Sequence, residues 1–149
     1  MPAWLLWKYF PPALLAEIKS AIRESETQHS GEIRFAVETA LPLSALWKGM
    51  PGREAAIRAF YDLSVRDTEN NSGVLIYVLL ADRDLEIVAD RGIAAKVDQA
   101  EWDDIARRME QHYRAGDFRA GTFEGIRRVT ELLASHFPPG ERNPNELPD

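Results

Sequence analysis

Apolar residues recur along the chain in patterns that predict four helices and three strands. Four stretches have apolar side chains at helical spacing, and each would present one apolar stripe to a core. These predicted helices cover residues 12–26, 53–65, 98–115 and 118–136. Pro11 and Pro12 suit the start of the first helix, because a missing N–H costs nothing there.

Three other stretches have the pattern of strands. Apolar and polar residues alternate over residues 32–39, which is typical of a half-buried strand. Residues 73–80 form a continuous apolar run, as in a central strand that is covered on both faces. Residues 85–90 alternate again after a compact turn at 81–84. The second and third strands should therefore pair as an antiparallel hairpin.

The order of these elements predicts an α/β fold, a three-layer α/β/α sandwich with a small mixed β-sheet flanked by helices. Residues 1–137 should form a single domain, with irregular loops at 40–52 and 67–72 and a flexible tail at 138–149. The aromatic segment 1–11 is expected either to pack on the core or to bind a partner, and a homodimer through this segment is one such arrangement.

The net charge and the amino-acid composition exclude several classes of function. The 149 residues hold 24 acidic and 18 basic side chains, and this net charge of -6 argues against nucleic-acid binding. Because cysteine is absent, disulfides, thiolate metal sites and cysteine nucleophiles are excluded. We find no nucleotide-binding or serine-hydrolase motif. The sequence predicts no signal peptide and no transmembrane segment. We therefore expect a cytoplasmic protein.

The predicted topology gathers polar residues at one edge of the sheet. A parallel first pair of strands with an antiparallel third strand brings Glu32, Asn71 and Asp90 to the same edge. Oxygen ligands of this kind suit Ca²⁺ or Mg²⁺. The predicted metal ligands are Glu32, Asp67, Glu69, Asn71, Asp90 and Asp98. Arg91 follows as a candidate partner for phosphate or for the acids.

The same residues also have ordinary structural interpretations. Asp98 is a good N-cap, and Glu101 follows it at the spacing of a capping box. Asp67 and Asn71 are common turn formers, and Glu32 could simply flank a strand. Both interpretations stay open at this point.

Other polar groups favour structural roles. At the opposite edge of the sheet we expect a charged tight turn, formed with the end of the first strand by Glu38, Asp82, Arg83 and Asp84. The histidines show no metal-ligand spacing and are expected to be solvated or to cap helices. They are His29, His112 and His136.

Several short stretches resemble the TPM domain family. They are Glu32-Ile33, Asn70-Asn71-Ser72-Gly73-Val74-Leu75-Ile76, Glu86-Ile87, Arg91-Gly92-Ile93, Gly116-Asp117-Phe118, Gly121 and Gly125-Ile126. The resemblance covers roughly residues 26–137 and implies an α/β/α sandwich. The family includes thylakoid-lumen proteins linked to photosystem repair and many bacterial proteins. Acid phosphatase activity is attributed to some members, and divalent-metal binding, notably of calcium, to a few.

These observations lead to two functional hypotheses. The first is a binding or adaptor module that holds Ca²⁺ or Mg²⁺ at the acidic edge and binds a protein partner or a small phosphorylated ligand. The alternative, which the resemblance implies, is a metal-assisted acid phosphatase that acts on phosphomonoesters.

Overall fold

A computed structural model describes residues 4–39, 52–63 and 71–139 of the chain, without the side chains at 4, 5 and 82. The predicted loops at 40–52 and 67–72 and the predicted tail at 138–149 lie mostly outside the described residues. The elements are α1 (Trp4–Tyr9), α2 (Pro12–Ser25), β1 (Glu32–Glu38), α3 (Gly52–Asp62), β2 (Gly73–Leu79), β3 (Asp84–Ala89), α4 (Arg91–Ala94), α5 (Gln99–Arg114) and α6 (Phe118–His136). The four long helices and three strands agree with the prediction, whereas α1 and α4 were not predicted.

The three strands form one sheet in the order β1-β2-β3. β1 and β2 are parallel, with Glu32 opposite Gly73, because α3 crosses back between them. β2 and β3 are antiparallel, with Val74 opposite Ala89. A 3-10 turn at Leu80–Asp82 joins this hairpin. The predicted mixed sheet and its hairpin are confirmed.

β2 is the centre of the domain, since all seven of its residues are buried. Its successive side chains point to opposite faces of the sheet. On one face Val74, Ile76 and Val78 belong to a core with Leu14 and Ile18 of α2, Trp102, Ile105 and Met109 of α5, and Ile126, Val129 and Leu133 of α6. On the other face Leu75, Tyr77 and Leu79 pack with Ala55, Ala56 and Phe60 of α3. Helices therefore cover both faces, and the three-layer sandwich is confirmed.

The described part of the aromatic N-terminal segment packs on its own domain. Phe10 is fully buried, and its ring lies 5.4 Å from that of Phe118. The Tyr9 ring lies tilted against that of Phe118, with 5.0 Å between the ring centroids, and the guanidinium of Arg83 lies over both rings. Trp7 is the exception, with 63% of its surface exposed. A homodimer through this segment stays a prediction.

α5 and α6 pack closely because glycines of α6 face α5. A Cβ at Gly125 would clash with the side chain of Met109, and one at Gly121 would come within 2.9 Å of Tyr113. From the sequence, these glycines have two alternative interpretations, as weak points of the helix or as sites of close packing. The structure shows that they are close-packing points.

The ends of α5 differ in how well they were predicted. Asp98 stands at the N-cap position but makes no side-chain capping bond, and Glu101 N donates instead to the main-chain oxygen of Asp98, at 2.9 Å. The predicted capping box is therefore wrong. The predicted stop at Gly116 is confirmed. Gly116 has a φ of 88°, and Asp117 N donates to His112 O at 2.9 Å, as in a Schellman motif.

Candidate functional site

Asn71 and Asp90 meet at the edge of the sheet where β2 begins and β3 ends. Asp90 N donates to Gly73 O at 2.8 Å, which continues the β2–β3 ladder by one residue. Gly92 N donates to Asn71 O at 2.8 Å and ties the start of α4 to the chain that enters β2. The predicted meeting of these two polar residues is confirmed.

Asn71 has the left-handed backbone conformation, with a φ of 53°. Asparagine tolerates this conformation better than most residues. The conformation lets its carbonyl oxygen accept from both Gly92 N and Ile93 N, the second at 3.3 Å. Both N–H groups belong to the first turn of α4, where Ile93 N is shared with Asp90 O at 3.2 Å.

Only one oxygen of the Asp90 carboxylate accepts a hydrogen bond from the described residues. Its Oδ1 accepts from Arg91 N at 2.7 Å and caps α4. Its Oδ2 is buried and has no hydrogen-bond partner among the residues that the structure describes. A buried carboxylate oxygen without a donor is costly, so this atom favours the arrival of a cation or a hydrogen-bond donor.

Asp90 lies in a cleft of about 460 Å³, which we call the Asp90 cleft. It is lined by Ile57, Phe60, Tyr61, Asn71, Val88, Ala89, Asp90 and Arg91. One wall is polar and comes from the β2 and α4 starts. The other is apolar and comes from the last turns of α3, where Tyr61 is 53% and Ile57 39% exposed. Its volume is in the range of small-molecule sites.

The chain matches the family model of the TPM domain over residues 8–132. It belongs to the TPM domain family. The BA42 protein of the psychrophilic bacterium Bizionia argentinensis is 31% identical, with a TM-score of 0.75 over 89% of this chain and 87% of that one. Among curated proteins none matches the chain.

Two more distant solved structures show the same fold. One is the N-terminal domain of a P. gingivalis protein, with 18% identity and a TM-score of 0.68, covering 89% of this chain and 82% of that one. The other is the N-terminal domain of the cg2496 protein of Corynebacterium glutamicum, with 12% identity and a TM-score of 0.58, covering 86% and 75%. The resemblance to TPM domains and the predicted fold class are thus confirmed.

Of the other predicted ligands of this TPM domain that the structure describes, neither Glu32 nor Asp98 lines the Asp90 cleft. Glu32 lies at the same edge, but its carboxylate accepts from Arg34 Nε at 3.0 Å. Asp98 is exposed at the start of α5, and Asp67 and Glu69 lie outside the described residues. Within the part of the chain that the structure describes, no three acidic or histidine side chains are grouped to hold a metal.

Away from the Asp90 cleft, polar side chains at the end of β1 and along β3 have structural roles. Tyr77 donates to Glu38 at 2.6 Å, and burial raises the pKa of Tyr77. Arg53 donates to Ile87 O at 2.6 Å. Glu110 accepts from Leu85 N at 3.2 Å. Arg53 and Glu110 thereby satisfy outward backbone groups of the edge strand β3, which would otherwise be open to pairing with another strand.

Glu110 is also close to another carboxyl group. Burial, followed by its interaction with Asp84, raises the pKa of Glu110 to about 7. It lines a second cleft of about 300 Å³ together with Arg53, Glu86 and Trp102. The prediction of a charged turn missed this group, because Glu110 is 26 positions after Asp84 in the sequence.

The expectation that the histidines are solvated or cap helices is wrong for His29, which is buried. Gly31 N donates to its Nδ1 at 3.0 Å, so the proton of the neutral ring sits on Nε2. Nε2 then donates to Ser25 Oγ at 3.0 Å. Since Thr130 donates to Ile126 O, Ser25 donates in turn to Thr130, at 2.6 Å. His29 is therefore no base for Ser25, and the chain of bonds ties α2 to α6.

Sequence reasoning missed the apolar wall of the Asp90 cleft. Ile57 and Tyr61 are one helical turn apart and lie beside the buried stripe of α3 rather than in it. Large apolar residues outside the predicted stripe were the signal. The described helices of this TPM domain include none that is long and apolar enough to cross a membrane.

Proposed function

We propose that this TPM domain is a binding module that takes a hard divalent cation, Ca²⁺ or Mg²⁺, in the Asp90 cleft. The observation that carries the proposal is the buried Oδ2 of Asp90, which has no partner among the described residues. A cation would satisfy this oxygen and offset its desolvation. Asn71 lines the same cleft, and its side-chain amide oxygen would be a second ligand for the cation.

The remaining ligands are proposed from the sequence. Asp67 and Glu69 precede Asn71 by four and two positions, and their carboxylates are of the kind that Ca²⁺ and Mg²⁺ prefer. Glu32 fits this set less well because Arg34 holds its carboxylate. Asp98 fits less well because it is not among the residues that line the cleft.

Calorimetric titration with Ca²⁺ and with Mg²⁺ tests the proposal. We expect saturable binding that Asp90→Asn abolishes and that Asp67→Asn and Glu69→Gln weaken. Asp103→Asn is the matched control, because Asp103 is exposed and bonds only Gln99 in the described part of the chain. Absence of any heat or melting shift at about millimolar metal, the range of weak calcium sites, would contradict the proposal.

A second candidate is hydrolysis of phosphomonoesters, as the resemblance to TPM phosphatases implied. It is supported by Arg91, which lines the cleft next to Asp90 and is exposed. Arg91 would pair with the phosphate while water attacks the phosphorus atom. The ester P–O bond would break, and the alcohol would leave with a proton from the water.

Turnover of an aryl phosphate with bound metal tests this candidate. We expect activity to disappear in Asp90→Asn and Asp67→Asn and to persist in Asp103→Asn. Activity that survives both substitutions would assign the hydrolysis to a contaminant. Metal binding without turnover would leave the domain as a binding module that works through a protein partner or a small phosphorylated ligand.

A further inference from the structure

We propose that the Asp90 cleft binds a small organic anion with an apolar body, which packs on α3 while its anionic group lies beside Arg91. The inference rests on the proposed cation at Asp90 and names the ligand that this cation admits. It follows from the two unlike walls of the cleft.

The apolar wall is unusual on this surface. Among the described residues, only Trp7, Ile57 and Tyr61 are large hydrophobic side chains with substantial exposure, and two of them line this cleft. Ile57 and Tyr61 are four positions apart on α3, so they form one continuous strip. Phe60 contacts the Tyr61 ring with a centroid distance of 5.9 Å and extends the strip towards the core. A ligand that fills the cleft must therefore present apolar surface to α3.

The polar wall selects the charge of the ligand. Arg91 takes part in none of the salt bridges found in the described ranges. With the cleft empty, the charges of Asp90 and Arg91 offset each other, and an anion would meet the Asp90 carboxylate. A divalent cation on Asp90 makes this wall net positive. Anion binding should therefore depend on the cation.

Two phosphonates separate the contributions of the walls. Phenylphosphonate and methylphosphonate share a head group that resists hydrolysis and differ in the apolar body. At saturating Ca²⁺ we expect phenylphosphonate to bind about tenfold more tightly, the size expected from burying on the order of 60 Å² more apolar surface. By thermodynamic linkage, phenylphosphonate should tighten Ca²⁺ binding by the same factor as Ca²⁺ tightens the anion.

Substitutions in the apolar wall locate the effect. Tyr61→Ser and Ile57→Ser should remove most of the preference for phenylphosphonate and leave Ca²⁺ affinity without the anion unchanged. Tyr61→Phe should keep the preference, because the ring stays. Trp7→Ser is the matched control, since Trp7 is exposed but lies outside the cleft. Melting curves confirm that each variant is folded.

The possible failures are distinct. If Ca²⁺ binds but the two phosphonates bind equally, or if Tyr61→Ser leaves their difference intact, the inference is overturned and the cation site stands. If phenylphosphonate binds equally without Ca²⁺, the role given to the cation is overturned. If neither Ca²⁺ nor Mg²⁺ binds before any anion is added, the proposed function itself fails.

Discussion

Ser25 Oγ lies 3.0 Å from His29 Nε2, and both side chains are buried beside Thr130 of α6. Burial lowers the pKa of His29 from 6.5 to about 4. The unfolded chain therefore binds more protons than the folded chain between these pH values. We expect stability to fall as pH drops from 6.5 towards 4, by roughly 1 kcal/mol per pH unit from this group.

Urea unfolding across this pH range measures the effect. His29→Gln should flatten the contribution because it removes the titrating ring, at some cost in stability at neutral pH. His136→Gln should keep the wild-type slope, since His136 lies at the end of α6 outside this network. Equal slopes for the wild type and His29→Gln would refute the assignment.

The contact between Gly125 and Met109 leads to a packing prediction. A Cβ at residue 125 would overlap the Met109 side chain, so Gly125→Ala should destabilise the domain by about 1–3 kcal/mol. The double variant Gly125→Ala/Met109→Ala should be less destabilised than the sum of the single variants. Denaturant unfolding of all three proteins measures the coupling, and strict additivity would contradict it.

The raised pKa of Glu110 predicts a dependence of stability on pH that is opposite in direction to that of His29. The raised pKa of Glu110, about 7, means that the folded chain binds more protons than the unfolded chain between the ordinary value of 4.5 and 7. Stability from this group therefore falls as pH rises through that window.

Glu110→Gln tests this dependence because a glutamine can accept from Leu85 N and also donate to Asp84. We expect the variant to be more stable than the wild type by roughly 1 kcal/mol at about pH 8, with solvent screening included, and similar at about pH 5. Glu131→Gln is the control, because Glu131 is exposed on α6. A variant less stable at both pH values would show that the charge itself is needed.

Arg83 combines an unfavourable backbone with a favourable contact. Its φ is 51°, and its guanidinium lies over the rings of Tyr9 and Phe118, at 5.1 and 5.6 Å. Arg83→Ala loses the ring contact and keeps the strain, whereas Arg83→Gly loses the contact and relieves the strain. We expect the glycine variant to be more stable than the alanine variant by about 1 kcal/mol. Thermal melting decides, and an equal or lower melting point for glycine would contradict the expectation.

The elements of the sheet could be predicted because burial on one or two faces leaves a local periodicity in the sequence. The apolar run of β2 predicted a strand covered on both sides, and the order of elements then predicted a parallel β1–β2 pair. The meeting of Asn71 and Asp90 followed from the antiparallel pairing of β2 with β3, which places the start of one strand beside the end of the other. Local turn chemistry likewise predicted the end of α5 at Gly116.

Only the tertiary structure decided which polar groups are buried and what faces them. The sequence could not show that His29 is buried in a network with Ser25 and Thr130, because the bond between Ser25 and Thr130 joins residues 105 positions apart. It predicted Asp90 at the sheet edge but not that one of its carboxylate oxygens is buried. It also placed no wall opposite Asp90. That wall arises because the crossover brings the last turns of α3 back to the edge where β2 begins, and periodicity along one helix does not reveal which surface lies across from it.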